Sequence, residues 1–442
     1  MSRTRGQRPL VPSGARRSIA LAVFFLAFTV RAIWAIRVQS PLTAVYSDMG
    51  GYVSRAEMLL SGFTPNEPRV LVLWPWGTHA IVALEIALLG RKSAIAIGIV
   101  HAIAGAIAAP CAALITARFV RSPYWVWAAG VVVALWHPHV VYSGFFSSEI
   151  WFSSAIALGS LCLIRHCERR SGAVVAGLLL GLSFCVRPQI LLTVAMLVTV
   201  FAVAWLRRAT WRPRGGALAL AIFFLPLAAA MTFSSVRFHR LTGRFGLIAA
   251  YEPAQRLFGE TNVGKIEASW IAPNGDRWGY WFSPHTKQPL KPEHVVHIDG
   301  FICDPEKIAA IRAERLRGVP LRARIGRMVD NVELLALRNV PWPEDDFRRV
   351  PFRARLQRVY AEILLVVIAL AAVGLASLRR HRAAGVILGV HLVTIVGVAA
   401  IYLGEARYRV PYDPLIIVVA TIGASALAER GRALVRRARA GS

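Results

Sequence analysis

The chain reads as an all-α polytopic membrane protein of about ten transmembrane helices, with helices in its external loops and a small mixed α+β soluble insertion. Three observations predict this. Hydrophobic residues make up 56% of the 442 positions, and mean hydropathy is +0.51. Apolar runs recur that are long enough, at about 1.5 Å per helical residue, to cross a hydrocarbon core of about 30 Å. Arginines gather in the tails and in every second turn between those runs, as expected where short basic loops stay cytoplasmic.

Taken in order, the spans are predicted at 18–38, 93–119, 123–141, 150–165, 172–187, 189–206, 215–236, 357–378, 383–403 and 410–428. Arg16 and Arg17 precede the first, Arg118 and Arg121 lie at the end of the second, and Arg165 and Arg169 at the end of the fourth. Arg207 and Arg208 follow the sixth, Arg379 and Arg380 the eighth, and Arg430 and Arg432 the tenth. All of these share one side, so both termini are expected in the cytoplasm. The net charge of +28 is mostly this topological signal, and no nucleic-acid partner is needed to explain it. Lysine occurs only at positions 92, 265, 287, 291 and 307, an arginine bias that suits a GC-rich bacterial genome and a bacterial inner membrane.

One apolar stretch, 70–89, breaks the even count. As a crossing it would move every later arginine cluster to the other side. Trp74-Pro75-Trp76-Gly77 interrupts it and Glu85 lies inside it, so it is expected to re-enter or lie at the interface, with an eleventh span as the alternative. Residues 1–17 form a basic tail, and no small-residue cleavage site follows the first span, which is therefore expected to act as a signal anchor. Cys111, Cys162 and Cys185 fall within spans, Cys167 at an edge and Cys303 alone outside, which is no disulfide framework; metal-ligand spacing is absent too.

Residues 237–355 are the one long polar segment and hold 14 of the 24 acidic residues. The chain thus divides into an N-terminal membrane module (1–236) with its first outside loop at 39–92, a soluble external region (237–355), and C-terminal membrane helices with a basic tail (356–442). Within 270–281 an Asn274-Gly275 turn between aromatic arms predicts a hairpin. Its rings are either a stacking platform for a sugar or, more simply, core and interfacial anchors. Asp304 followed by Pro305 predicts a capped helix running to Gly318.

Charged residues then gather on the face opposite the basic clusters. In the first outside loop Asp48, Tyr52, Ala56 and Leu60 recur every four residues, giving one helical face with an acid at its start, closed by Gly62. A carboxylate beside a bilayer is costly to desolvate and marks a functional candidate. Ser148-Glu149 enters the fourth span. The fifth ends in Gly181-Leu182-Ser183-Phe184-Cys185-Val186-Arg187-Pro188. Arg407-Tyr408-Arg409-Val410-Pro411 precedes the last. Each has a plain alternative: Glu149 suits a helix N-terminus, and Arg187, Arg407 and Arg409 suit lipid headgroups. His137 and His139 read as helix-end histidines.

Taken together, in order and sidedness, these motifs resemble the C superfamily of membrane glycosyltransferases, the polyprenyl-phosphate-sugar-dependent enzymes that include protein O-mannosyltransferases and aminoarabinose transferases. The resemblance covers most of the membrane part and departs from the family in 237–355. It implies inverting transfer from a lipid-phosphate-linked sugar to a hydroxyl or amine of an acceptor, at the outward face of the cytoplasmic membrane. Asp48 would be the general base and Glu149 a second acid positioning acceptor or base. Tyr52 would contact substrate, and Arg407, Arg409 and Arg187 would hold the phosphate. No cofactor is required, although some relatives use a divalent metal and Asp48 with Glu149 could offer two ligands. A transporter or flippase of lipid-linked sugars is the rival class, yet no internal repeat is visible. A scaffold presenting 237–355 would need no acid at position 48.

Overall fold

The computed structural model describes residues 11–65, 67–169, 172–207, 209, 216–269, 280–283, 290–336, 351–378 and 382–441. Helix α1 (Ser13–Ile33) continues into a π-helical turn (Trp34–Val38), and α2 (Ser47–Ser61) and α3 (Trp76–Leu89) fill the loop after it. Then come α4 (Ala94–Ala106) with α5 (Ala108–Thr116), α6 (Pro123–Leu135) with the short α7 (His137–Val141), α8 (Glu149–Arg169), α9 (Ala173–Val186), α10 (Ile190–Leu206) and α11 (Gly216–Thr242). The polar region contributes α12 (Glu252–Glu260), α13 (Pro305–Leu316) and α14 (Leu321–Ala336). The chain closes with α15 (Pro351–Leu378), α16 (Arg382–Ile401), α17 (Ala406–Arg409) and α18 (Asp413–Gly441).

Every predicted span overlaps a helix. Among the described residues six helices are long and apolar enough: Ser13–Val38, Ala94–Thr116, Glu149–Cys167, Arg358–Leu378, Ala383–Ile401 and Ala406–Ala440. The pair Pro123–Leu135 and His137–Gly144, bent by 48°, would be a seventh, and α3, α9 and α10 are shorter apolar helices. The protein is a helical membrane protein. Its helices approach closely where side chains vanish: a Cβ at Gly374 of α15 would fall on the Val419 carbonyl of α18, and one at Gly423 of α18 on the Leu370 carbonyl.

The 70–89 stretch is divided as its Trp-Pro-Trp-Gly sequence suggests. A 3₁₀ turn (Pro68–Val72) ends it on one side, and α3 has 14 residues, about 21 Å of helix. Both ends of α3 lie at the end of the bundle where α1 finishes. Gly77 abuts Cys185 at the close of α9, and five residues beyond Leu89 begins α4, whose Gly98 rests on Ala35 and Ile36. Glu85 is buried against His101 of α4 at 3.2 Å.

The polar region carries a three-stranded sheet, β1 (Lys265–Ala268), β2 (Tyr280–Phe282) and β3 (Val295–Ile298), in the order β2-β1-β3. Strand β1 is antiparallel to β2, with Lys265 opposite Phe282, and parallel to β3, with Lys265 opposite Val295. The Asn274-Gly275 turn lies outside the described residues. Asp304 caps α13 by accepting hydrogen bonds from the Glu306 and Lys307 amides at 3.1 and 3.3 Å, with Pro305 at the first helical position. Leu257, Phe258, Ile266, Val296, Ile298, Phe301 and Ile308 form a core that also takes in Val70 and Leu73 of the first loop and Leu403 beyond α16. That shared core seats the polar region on the helix ends and builds the site.

Candidate functional site

Four connections deliver charge to one place, each for a local reason. Ser47 holds a φ of 48°, a left-handed conformation that disfavours a residue with a β-carbon by about 1 kcal/mol, and turns the chain into α2 with Asp48 in its first turn. Strain of this kind concentrates at functional sites. Glu149 opens α8, where the N-terminal dipole favours a carboxylate. Arg187 precedes Pro188, which excludes it from the helical region. It is extended (φ −147°, ψ 106°), so α9 stops at Val186 and the side chain leaves the helix. Arg407 lies in the short α17, between the ends of α16 and α18.

These four side chains meet. Arg407 Nη1 donates to Asp48 Oδ2 at 2.5 Å, and Arg407 Nε and Arg187 Nη2 both donate to Glu149 Oε1. Arg187 Nε donates to Ser148 Oγ at 2.8 Å. Glu149 is fully buried and Asp48 is the most open of the four. Two guanidinium groups thus balance two carboxylates in a poorly hydrated place, where charge-assisted hydrogen bonds are strong and removal of one partner is severe.

Asp48, Arg187 and Arg407 line a cavity of about 1520 Å³. Its lower wall is apolar: Leu191 and Leu192 come from α10, Val398 and Ile401 from α16. Its other wall belongs to the polar region, with Tyr251, Glu252 and Gln255 at the start of α12 and the aromatic strand β2. Tyr280 and Phe282 there are exposed, while Trp281 packs on Phe258. Tyr52 also lines the cavity, its ring 5.3 Å from that of Trp74. Burial of Tyr52 pushes its phenol up to about 12, with Arg407 opposing and Asp48 reinforcing, so it is neutral across the physiological range.

Of the expected site residues, the fold gathers Asp48, Tyr52, Glu149, Arg187 and Arg407. Arg409 does not join them. It lies two residues from Arg407, on the far side of α17, where its Nε donates to Asp413 Oδ1 at 2.8 Å and its Nη1 to the Leu335 carbonyl at 2.9 Å. Trp136 Nε1 completes that pair with a 2.7 Å bond to Asp413 Oδ2. Leu60, expected on the Asp48 face, is exposed, whereas Tyr52 and Ala56 are buried. His139 is held between Arg31 and Ser153, each at 2.8 Å.

Several residues beyond the expected set take part. Tyr408 stacks beneath Arg187, with the guanidinium carbon 5.6 Å from its ring, and accepts a 2.7 Å bond from Gln255. Arg55, fully buried two turns along α2 from Asp48, lies 4.4 Å over the Trp74 ring and donates to the Val70 and Gly51 carbonyls, each at 2.8 Å. The only advance sign of it is an arginine at helical spacing on an otherwise apolar face. Among the described residues no group of three or more histidine, cysteine or acidic side chains is arranged around a cation position. Asp48 and Glu149 both address the Arg407 guanidinium, which takes the place between them that a metal ion would need, so this pair does not fit a metal.

No protein-family model matches the chain, and no curated protein matches it. Among solved structures the chain is similar to the archaeal oligosaccharyltransferase AglB from Archaeoglobus fulgidus in complex with an inhibitory peptide and a dolichol-phosphate. Identity is 15% and the TM-score 0.43, over 95% of this chain and 52% of that one, so the chain spans about half the length of that structure.

Proposed function

We propose that the chain is an inverting glycosyltransferase that moves a sugar from a polyprenyl-phosphate donor to a hydroxyl or amine of an acceptor at the outer face of a bacterial cytoplasmic membrane. The observation that carries this reading is the meeting of Asp48, Arg187 and Arg407 at the rim of a cavity whose lower wall is formed by apolar residues of membrane helices. That division suits a donor with a long apolar tail and a charged head.

In this scheme the donor phosphate draws Arg187 and Arg407 toward it. Arg407 then exchanges its bond to Asp48 for one to phosphate, which leaves the carboxylate to the acceptor. The acceptor oxygen or nitrogen forms a bond to the anomeric carbon from the face opposite the phosphate. Its proton passes to Asp48 as the carbon–oxygen bond to phosphate breaks. The electron pair of that bond stays on the polyprenyl phosphate, which gains one negative charge that the arginines stabilise in a low-dielectric setting. Glu149, buried behind both guanidinium groups, acts as a positioning residue that holds them in place. Arg409 has no part in the scheme, being committed to Asp413.

The test is transfer of label from radiolabelled polyprenyl-phosphate sugars in membranes carrying the wild type, Asp48→Asn or Arg407→Ala. Loss of a general base lowers rate by about 100-fold or more, so label transfer is expected to vanish with Asp48→Asn while the protein remains folded. Equal transfer by wild type and Asp48→Asn would reject Asp48 as the base, and no transfer by the wild type from any donor tried would favour a transporter of lipid-linked sugars.

A further inference from the structure

The polar region contains one apolar surface that the site does not use. On α14, Leu321, Ile325, Met328 and Val329 follow the spacing of one helical face and are 72%, 50%, 40% and 61% exposed. Two observations say what that face meets. First, the same stripe continues into the membrane bundle: Val332 packs against the main membrane core and Leu335 is part of it, and both belong to the same face of α14. Second, the opposite flank is committed to the polar region. Asn331 Nδ2 donates to the Gly259 carbonyl of α12 at 2.9 Å, and Arg327 Nη2 donates to the Phe258 carbonyl at 3.5 Å. The helix therefore rests its polar flank on α12, anchors its end on the bundle, and turns its apolar stripe away from the polar region.

We propose that the amino-terminal half of α14 lies in the interface of the membrane leaflet on the site side, with Leu321, Ile325, Met328 and Val329 among the acyl chains. Arg322 and Arg324 border the stripe on its two sides, where cations suit phospholipid phosphates; Arg324 also donates to the Leu316 carbonyl at the end of α13. The stripe is continuous with the membrane bundle and edged by arginines, which makes an anionic lipid surface a better fit than a second protein chain. The helix would tether the polar region to the membrane and fix the height of the cavity mouth. This role is independent of the chemistry proposed for the site.

The experiment uses the full chain in nanodiscs of phosphatidylcholine and phosphatidylglycerol. Nitroxide labels are placed singly on cysteines introduced as Ile325→Cys, Val329→Cys, Ala323→Cys and Asp330→Cys; the five native cysteines are buried, and all four introduced positions are exposed. Labels at 325 and 329 are expected to collide several-fold more with oxygen, which concentrates in acyl chains, than with a water-soluble nickel complex. Labels at 323 and 330 should show the reverse. Equal access of the nickel complex to 325 and 330 would overturn the proposal by placing the stripe in water. Shielding of 325 and 329 from both reagents would overturn it by showing the stripe covered by protein.

Discussion

Arg407 touches carboxylates that lie 359 and 258 residues away in sequence, and its substitution should report on both. Arg407→Ala leaves Glu149 buried with Arg187 as its partner in this network and removes the cation from Asp48. A loss of about 2–3 kcal/mol of stability is expected from the charge-assisted hydrogen bonds removed, together with loss of donor binding. Thermal unfolding in detergent and retention of labelled donor measure the two separately. Arg407→Lys, which keeps the charge but not the fork, should recover stability more than transfer. Tyr52→Phe removes a phenol that stays neutral up to about pH 12 and leaves the ring on Trp74. If its hydroxyl contacts substrate, loss of about 1 kcal/mol should raise KM about fivefold with little change in kcat. An unchanged KM would confine Tyr52 to packing. The acids and arginines were legible as candidates because a charge at the end of an apolar run has few other uses. Which arginine faces the cavity was not, since Arg407 and Arg409 share a sequence motif and differ only in which side of a short helix they occupy.

At the scale of elements, short connections are held to the bundle by caps and close approaches. Asp304→Ala removes two hydrogen bonds to the first turn of α13 and should cost about 1 kcal/mol, read as faster amide hydrogen exchange at Glu306 and Lys307. Gly259→Ala would place a methyl group on the Tyr402 carbonyl, so α12 must move off the end of α16. Because α12 carries Gln255 to Tyr408, and Tyr408 underlies Arg187, transfer activity should fall along with stability, by an overpacking penalty of about 1–3 kcal/mol. Unchanged activity would show that the polar region does not set the arginines. The capped helix at Asp304 was legible because capping is local chemistry. The pairing of β1 with both β2 and β3 was not, because a parallel partner 30 residues away leaves no short-range signal.

For the whole molecule, the arginine pattern predicts both termini on one side and the site on the other. An Arg430→Cys label should therefore be reached by impermeant maleimide only after the membrane is opened, and a Glu314→Cys label from outside the cell. The opposite pattern would invert the topology and with it the side on which transfer takes place. The class of the protein, the positions of its helices and most of its charged candidates were determined by sequence alone, since burial in lipid demands long apolar runs and the translocation bias sorts arginines into short loops. The bounds of α9 and α10 follow the predicted runs to within one residue, and α9 ends at Val186 because Pro188 forces Arg187 out of the helix. Only the tertiary structure decided that Asp48, Glu149, Arg187 and Arg407 form one network, that Arg409 belongs to another, and that the start of α2, the Leu73–Pro75 turn, strand β2 and helix α12 surround a shared cavity. The physical reason is that hydropathy and charge fix which segments enter the bilayer. The facing of side chains at helix ends depends on packing between segments far apart in the chain, which no local pattern encodes.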